Sequence, residues 1–209
     1  MSVDTDRATI DADPRLALGA DAQALLFTEA RTANSFSSEP VDDATLRSIW
    51  ELSKWGPTAA NTNPLRVLYV RTDEAKQRLV GHMSEGNQAK TASAPAVAVL
   101  AADTRFHDLI PTLLPFRPEL KDAFEDESAR EPMWQFGSAL QAGYFILGVR
   151  AAGLVAGPMA GFDKAGVDGE FFADSTWRSI LVVNIGHPGQ DPWFDRLPRP
   201  AFGTAVQMA

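Results

Sequence analysis

The 209 residues carry 19 Lys and Arg against 27 Asp and Glu, a formal net charge of −8; this length fits one domain with at most an arm, and the charge repels nucleic acid. Cysteine is absent, which excludes thiol catalysis, disulfides and cysteine-ligated metal, and the three scattered histidines, His82, His107 and His187, lack any ligand spacing, so no metal centre is expected. The longest apolar run, Ala94 to Ala102, is too short to span a bilayer, and the acidic start lacks the pattern of a secretory signal, so a cytoplasmic protein without membrane partners is expected.

Residues 1–19 read as a loose acidic leader. A helix is expected in "DAQALLFTEARTANSF", with Asp21 as a possible N-cap. "VDDATLRSIWELSKWG" is a clearer helix, with Leu46, Ile49, Trp50 and Ser53 on one stripe and Gly56-Pro57 as its stop. "RVLYVRT" reads as a strand. "DEAKQRLVGHM" reads as a capped helix, and "APAVAVLAA" as a strand apolar on both faces, hence central in a sheet. Residues 103–130, with Pro111, Pro115 and Pro118, read as a lid or excursion. From Glu131 the longest helix is expected, with Pro132 in its first turn and Gly153 after its end. That helix is apolar nearly all round, which implies burial within the molecule or an oligomer. A short helix in "FDKAGVDGEFF" and a buried strand in "SILVVNIG" precede a proline-rich tail whose Trp193, Phe194 and Phe202 need a surface to lie on.

No nucleophile elbow, phosphate-binding P-loop or dinucleotide fingerprint is present. What remains is a set of polar groups on five separated loops. "EARTANSF" offers Arg31, Thr32 and Asn34, although an arginine in a last helical turn ordinarily serves the helix dipole. "WGPTAANTNP" offers Pro57, Thr58, Ala59 and Asn61 without a single acid or base. Asn87 and Lys90 lie three apart before the central strand, where an isolated N-x-x-K is ordinarily a turn and a solvated charge. Gly153, Gly157 and Gly161 recur every four residues, a pattern that usually marks close backbone packing, but Pro158 breaks any helix and frees backbone N–H groups. Arg196 and Arg199 close the set. Together these groups suit a planar, phosphate-bearing cofactor that carries the chemistry itself.

The blocks "RTANSF", "GPTAANTNPLRVLYV", "GNQAKTASAPAVAV", "GPMAGFD" and "RLPRP", in this order, resemble the nitroreductase family of FMN-dependent NAD(P)H oxidoreductases. The blocks look most like the branch of malonic-semialdehyde reductases of pyrimidine utilisation. The resemblance implies an α+β fold with a mixed central sheet flanked by helices, in an intertwined homodimer. It implies a flavin-binding domain over 20–190 and an arm over 191–209 that wraps the partner subunit. Arg31, Thr32, Asn34 and Arg196, or Arg199, would then reach the FMN phosphate and ribityl chain. Pro57, Thr58, Ala59 and Asn61 would border the flavin, some from the neighbouring subunit. Asn87 and Lys90 would face its pyrimidine edge, Lys90 stabilising negative charge on the reduced ring. Pro158, Met159, Ala160 and Gly161 would cover the ring and present a backbone N–H. Asn63, Leu65 and Ala160 depart from the family's usual Gln, Trp and Glu. An acceptor with a carboxylate would need a cation, for which Arg117 and Arg130 are candidates.

Overall fold

The computed structural model describes residue 13 and residues 15–209. The expected leader therefore lies largely outside the described residues. Asp13 is tied to the start of the domain, its N–H donating to the Gln23 side chain at 2.9 Å. The first helix is shorter than the sequence predicts. α1 (Ala20–Gln23) gives way to a π-helical turn over Ala24–Thr28, and the chain then runs extended.

α2 (Asp43–Ser53) begins at Asp42, whose carboxylate accepts from the Thr45 N–H. It leads to β1 (Leu65–Val70), α3 (Asp73–His82), α4 (Glu85–Ser93) and β2 (Ala96–Asp103). The excursion holds only short pieces, among them α5 (Ile110–Leu113) and α6 (Leu120–Ala123). α7 (Glu127–Ala151), β3 (Val155–Met159), α8 (Lys164–Phe171), β4 (Trp177–Gly186) and the single turn α9 (Phe202–Ala205) follow.

The sheet order is β1-β2-β4-β3, and every pairing is antiparallel. The α+β class holds, but the mixed sheet expected from the sequence is not present within the described residues of one chain. Register explains why. Val70, at the end of β1, lies opposite Val97, at the start of β2, so the chain re-enters the sheet at the end it left. β2 and β4 are central, as their continuous apolar runs predict. In β2, Ala96, Ala98 and Leu100 face the layer of α2 and α7, while Val97, Val99 and Ala101 face Leu79, Met83 and Val167 on the other side. A strand covered on both faces has no solvent side to make polar.

α7 starts at Glu127, capped by Asp126 and five residues before Pro132, so the proline sits inside the helix rather than in its first turn. One side of α7 is core: Phe145 and Val149 are fully buried. The other side is not. Phe136 is 70% exposed, and Leu140 and Tyr144 are also exposed, so the all-round apolar character divides into a core face and an open face. At the crossing with α2, a Cβ on Gly148 would run into the Ser53 hydroxyl and approach the Ile49 carbonyl to 3.1 Å. Glycine is what lets the two helices close there.

The excursion is anchored by a buried histidine. His107 has no exposed surface, and neither ring nitrogen has a hydrogen-bond partner among the described residues. Its Nε2 lies 3.4 Å from the Glu125 carboxylate. His107, Asp108 and Glu125 offer ligand atoms within 4.8 Å of one another, but Arg105 and Lys121 already hold Asp108, and these cations oppose a metal's charge. Burial pushes the His107 pKa below its ordinary 6.5, with Arg105 and Arg130 acting in the same direction and Asp108 and Glu125 against it. A depressed folded-state pKa means stability that is whole above the unfolded value and lost as pH falls through the folded one. Unfolding midpoints in urea should therefore drop as the pH is lowered from about 6.5. His107→Leu should flatten that limb; an unchanged pH profile in the variant would show that another group controls it.

Candidate active site

The loop between α2 and β1 answers why two asparagines sit where nothing can act as acid or base. Ala60, Asn61 and Asn63 adopt left-handed backbone, with φ of 50°, 49° and 42°. Asparagine tolerates that region better than other side chains, whereas Ala60 is strained there by on the order of 1 kcal/mol. The loop is over-determined to hold it. The Thr58 hydroxyl accepts from the Asn63 N–H at 3.1 Å, and Asn63 donates to the Asn61 side chain at 2.7 Å. Gln141 of α7, buried, donates to the Asn63 side chain at 3.1 Å and accepts the Leu65 N–H at 2.9 Å. Asn61 donates to the Leu113 carbonyl at 2.7 Å, tying the loop to the excursion. Within one chain, then, the polar groups of Thr58 and Asn61 are engaged in shaping the loop. Pro57 and Ala59 are exposed beside them.

A second group forms on the other side of the sheet. Asn87 lies on α4, not in a turn, and its side chain donates to the Gly161 carbonyl at 2.8 Å. The Ser84 N–H donates to the same carbonyl at 3.1 Å. A Cβ on Gly161 would stand 2.8 Å from the Asn87 amide, so a side chain there would push the helix away. Thr91, buried one turn on, donates to the Asn87 carbonyl and lies 3.5 Å from the Asn184 amide, whose own oxygen is buried without a partner. Lys90 is half-buried in the last turn of α4 and makes no ion pair among the described residues.

The segment expected to be a glycine loop is partly strand. Val155–Met159 is β3, with Pro158 opposite Val183. A proline is tolerated because β3 is the sheet edge, where its missing N–H removes no ladder bond. Only Ala160 and Gly161 are loop.

The extended segment after α1 runs along β3 and the tail. The Asn34 N–H donates to the Pro192 carbonyl at 2.9 Å. Arg31 donates to the Phe194 carbonyl and stacks on the Trp193 ring, 5.8 Å to its centroid. Thr32 is exposed on the same rim. The first part of the tail thus docks on its own chain, which the sequence did not signal. A cleft of about 170 Å³ opens here, lined by Leu25, Glu29, Arg31, Arg150, Leu154 and Trp193. Arg31, Arg150 and Arg196 pair with no carboxylate among the described residues.

The structure brings together Arg31, Thr32 and Asn34 with the tail, and Asn87 with Gly161. No hydrogen bond among the described residues joins either to the loop over Pro57–Asn61. The candidate substrate cations are engaged elsewhere: Arg117 pairs with Glu119 at 2.5 Å, and Arg130 donates to the Phe124 and Glu125 carbonyls. A larger cavity, about 340 Å³, lies between Trp134 and Ser138 of α7 and Lys164 and Asp168 of α8, and it contains no residue of the expected site. Residues that pattern reading missed are Gln141, Arg150 and Asn184. A polar residue in the middle of an apolar helix or strand was the available signal for the first and last.

The sequence model of the nitroreductase family matches residues 28–187. The chain belongs to the nitroreductase family. A Streptomyces coelicolor protein that carries the provisional name NADH dehydrogenase/NAD(P)H nitroreductase is 65% identical over 191 residues, 91% of this chain and 95% of that protein. Among solved structures, a nitroreductase family protein of Streptococcus pneumoniae superposes with a TM-score of 0.78 at 20% identity, over 88% of this chain and 98% of that one. A provisionally named nitroreductase of Exiguobacterium sibiricum, solved in complex with FMN, gives 0.79 at 18% identity, over 91% and 98%. These structural likenesses speak to the fold.

Proposed function

We propose that this nitroreductase family member is an FMN-dependent NAD(P)H oxidoreductase that works by ping-pong hydride transfer. The observation that carries this reading is the cleft where Arg31 meets the tail, with arginines that pair with no carboxylate among the described residues; Asn87 on the Gly161 carbonyl forms a second polar group of its own. Such a donor set fits a phosphate-bearing ring cofactor. The relative from Streptomyces coelicolor is named for NAD(P)H chemistry, and the Exiguobacterium sibiricum protein holds FMN. The flavin, when bound, supplies the hydride chemistry that no side chain here can.

In this reading Arg31 and Arg196 hold the phosphate as guanidinium forks, with Thr32 and Asn34 toward the ribityl chain. Asn87 and Lys90 meet the pyrimidine edge, and Lys90 offsets negative charge that develops there. Pro158, Met159, Ala160 and Gly161 close one side and exclude water. No hydrogen bond among the described residues ties the loop over Pro57, Thr58, Ala59 and Asn61 to these groups, and in this reading a second copy supplies it. The open patch of Leu52, Trp55, Phe136, Leu140 and Tyr144 is where that copy packs. β3 pairs β4 only from Val182 to Gly186, which leaves the outer edge of β4 before Val182 for a strand of the partner's arm, 191–209. A strand added there would give the sheet its mixed character.

For the acceptor, the blocks favour malonic semialdehyde, reduced to 3-hydroxypropionate. A broad nitroaromatic or quinone reductase is the second reading, favoured by the Arg117–Glu119 pair, which already neutralises one of the two candidate cations for a carboxylate. Among the described residues no helix is long and apolar enough to cross a membrane, and a cytoplasmic setting with free nicotinamide cofactor is proposed. The test is the visible spectrum under anaerobic conditions. Yellow absorbance that NADH or NADPH bleaches, restored by malonic semialdehyde faster than by a nitroaromatic, is the expected result. A colourless protein that takes up no FMN on reconstitution would overturn the proposal.

A further inference from the structure

The flavin reading gives Arg150 no role, yet it lines the same cleft as Arg31 and Trp193. It stands in the last turn of α7, where an arginine ordinarily serves the helix dipole. One of its five N–H groups is accounted for in that structural role: Nη1 donates to the Leu26 carbonyl at 2.8 Å. Its Nε is buried without a partner. Burial holds its pKa below the ordinary value, and Arg196 pushes the same way. No carboxylate pairs with it among the described residues, and Glu29, exposed at the rim, is the one acidic group lining the cleft. A half-buried guanidinium that no carboxylate pairs, with a second guanidinium acting on it, is costly unless an anion joins it. The carbonyl end of α7 opposes an anion, but its partial charge is about half a unit. Two or three cations outweigh it.

We propose that Arg150 recognises a phosphate monoester in this cleft, forming an anion site with Arg31 and Arg196. The inference rests on the flavin reading, and the phosphate it assigns is that of FMN. The 2′-phosphate of NADPH has the same chemistry and is separated by experiment.

Apoprotein is titrated with FMN and with riboflavin, by quenching of flavin fluorescence, for wild type, Arg150→Met and Arg150→Lys. KM is compared for NADPH and NADH on the reconstituted enzymes, and the thermal midpoint of each apoprotein is recorded. Arg150→Met should weaken FMN roughly ten- to hundredfold, the range for one charge-assisted hydrogen bond, and leave riboflavin affinity unchanged. Arg150→Lys should recover part of the loss. A rise in KM for NADPH but not NADH, with flavin affinities unchanged, would support the anion site and assign it to the dinucleotide. Equal loss of FMN and riboflavin, or a lowered thermal midpoint with no change in phosphate discrimination, would make Arg150 a helix-end tether and overturn the inference. A wild-type protein that binds neither flavin would bring down the flavin reading itself. Wild type that binds FMN while both variants match it in FMN affinity and in KM for NADPH would sink the Arg150 assignment alone.

Discussion

Phe145→Ala should lower the free energy of unfolding by about 3–5 kcal/mol, as large aromatic truncations in packed cores do. Phe145 is fully buried, packs among Leu46, Ile49, Leu65 and Val149, and lies 6.3 Å from the Tyr69 ring. Truncation there opens a cavity between α7 and the sheet that neither element can close, because Gly148 already holds α7 against α2. A domain of this size has about 5–15 kcal/mol in total, so the variant approaches the threshold of folding. The contrast is Phe136→Ala on the open face of the same helix, at 70% exposure. For an isolated chain that change should fall within about 0.5 kcal/mol. If a second copy covers the face, the loss appears instead as dissociation at low protein concentration, with an unfolding midpoint that depends on concentration. Urea titrations of both variants at two concentrations, with sedimentation, separate the cases. A Phe145→Ala protein as stable as wild type would refute the packing described for α7.

Much of this architecture is legible where one physical signal governs. The run in β2 is apolar from Ala96 to Ala102 and that in β4 nearly so, and both strands are central because both faces are covered. α2 is legible because Asp42, the stripe through Leu46 and Ile49, and the Gly56 stop agree with one another. β3 was hidden because Gly157 and Pro158 are loop signals, and they are tolerated only because pairing on one side suffices at an edge. The start of α7 was misplaced because Pro132 suits a first turn, whereas the Asp126 cap lies further upstream. The mixed sheet was an expectation carried by the family resemblance, and among the described residues every strand pairing is antiparallel.

The site was legible as residue types and not as neighbours. Blocks of sequence nominate Arg31, Asn87 and Gly161, but nothing in their spacing says that the tail folds back on Arg31 or that Asn87 reaches the Gly161 carbonyl. Those contacts join residues 74 and 163 positions apart, and they follow from sheet order, which periodicity does not encode. Arg150 was invisible for a different reason. At the end of a helix its local explanation is sufficient, and only its surroundings, a like charge and no carboxylate paired with it among the described residues, make it unusual.

Lys90→Ala tests the chemistry proposed for the rim and should have the largest effect on turnover. Lys90 is half-buried at the end of α4, one turn beyond Asn87, and makes no ion pair among the described residues. A lysine kept from full hydration without a carboxylate is placed to interact with charge that appears only during reaction. Removing one preorganised partner of that kind costs about a hundredfold or more in rate. The expected result is reduction by NAD(P)H slowed by that order, with the apoprotein's thermal midpoint nearly unchanged, since Lys90 contributes nothing to the core. Lys76→Ala on α3, also half-buried, is the control and should leave the rate within about twofold, as a surface change does. Stopped-flow bleaching of the yellow absorbance in both variants reads the difference. If Lys90→Ala takes up FMN with unaltered affinity and is reduced as fast as Lys76→Ala, Lys90 does not face the flavin, and the rim must place its positive charge elsewhere.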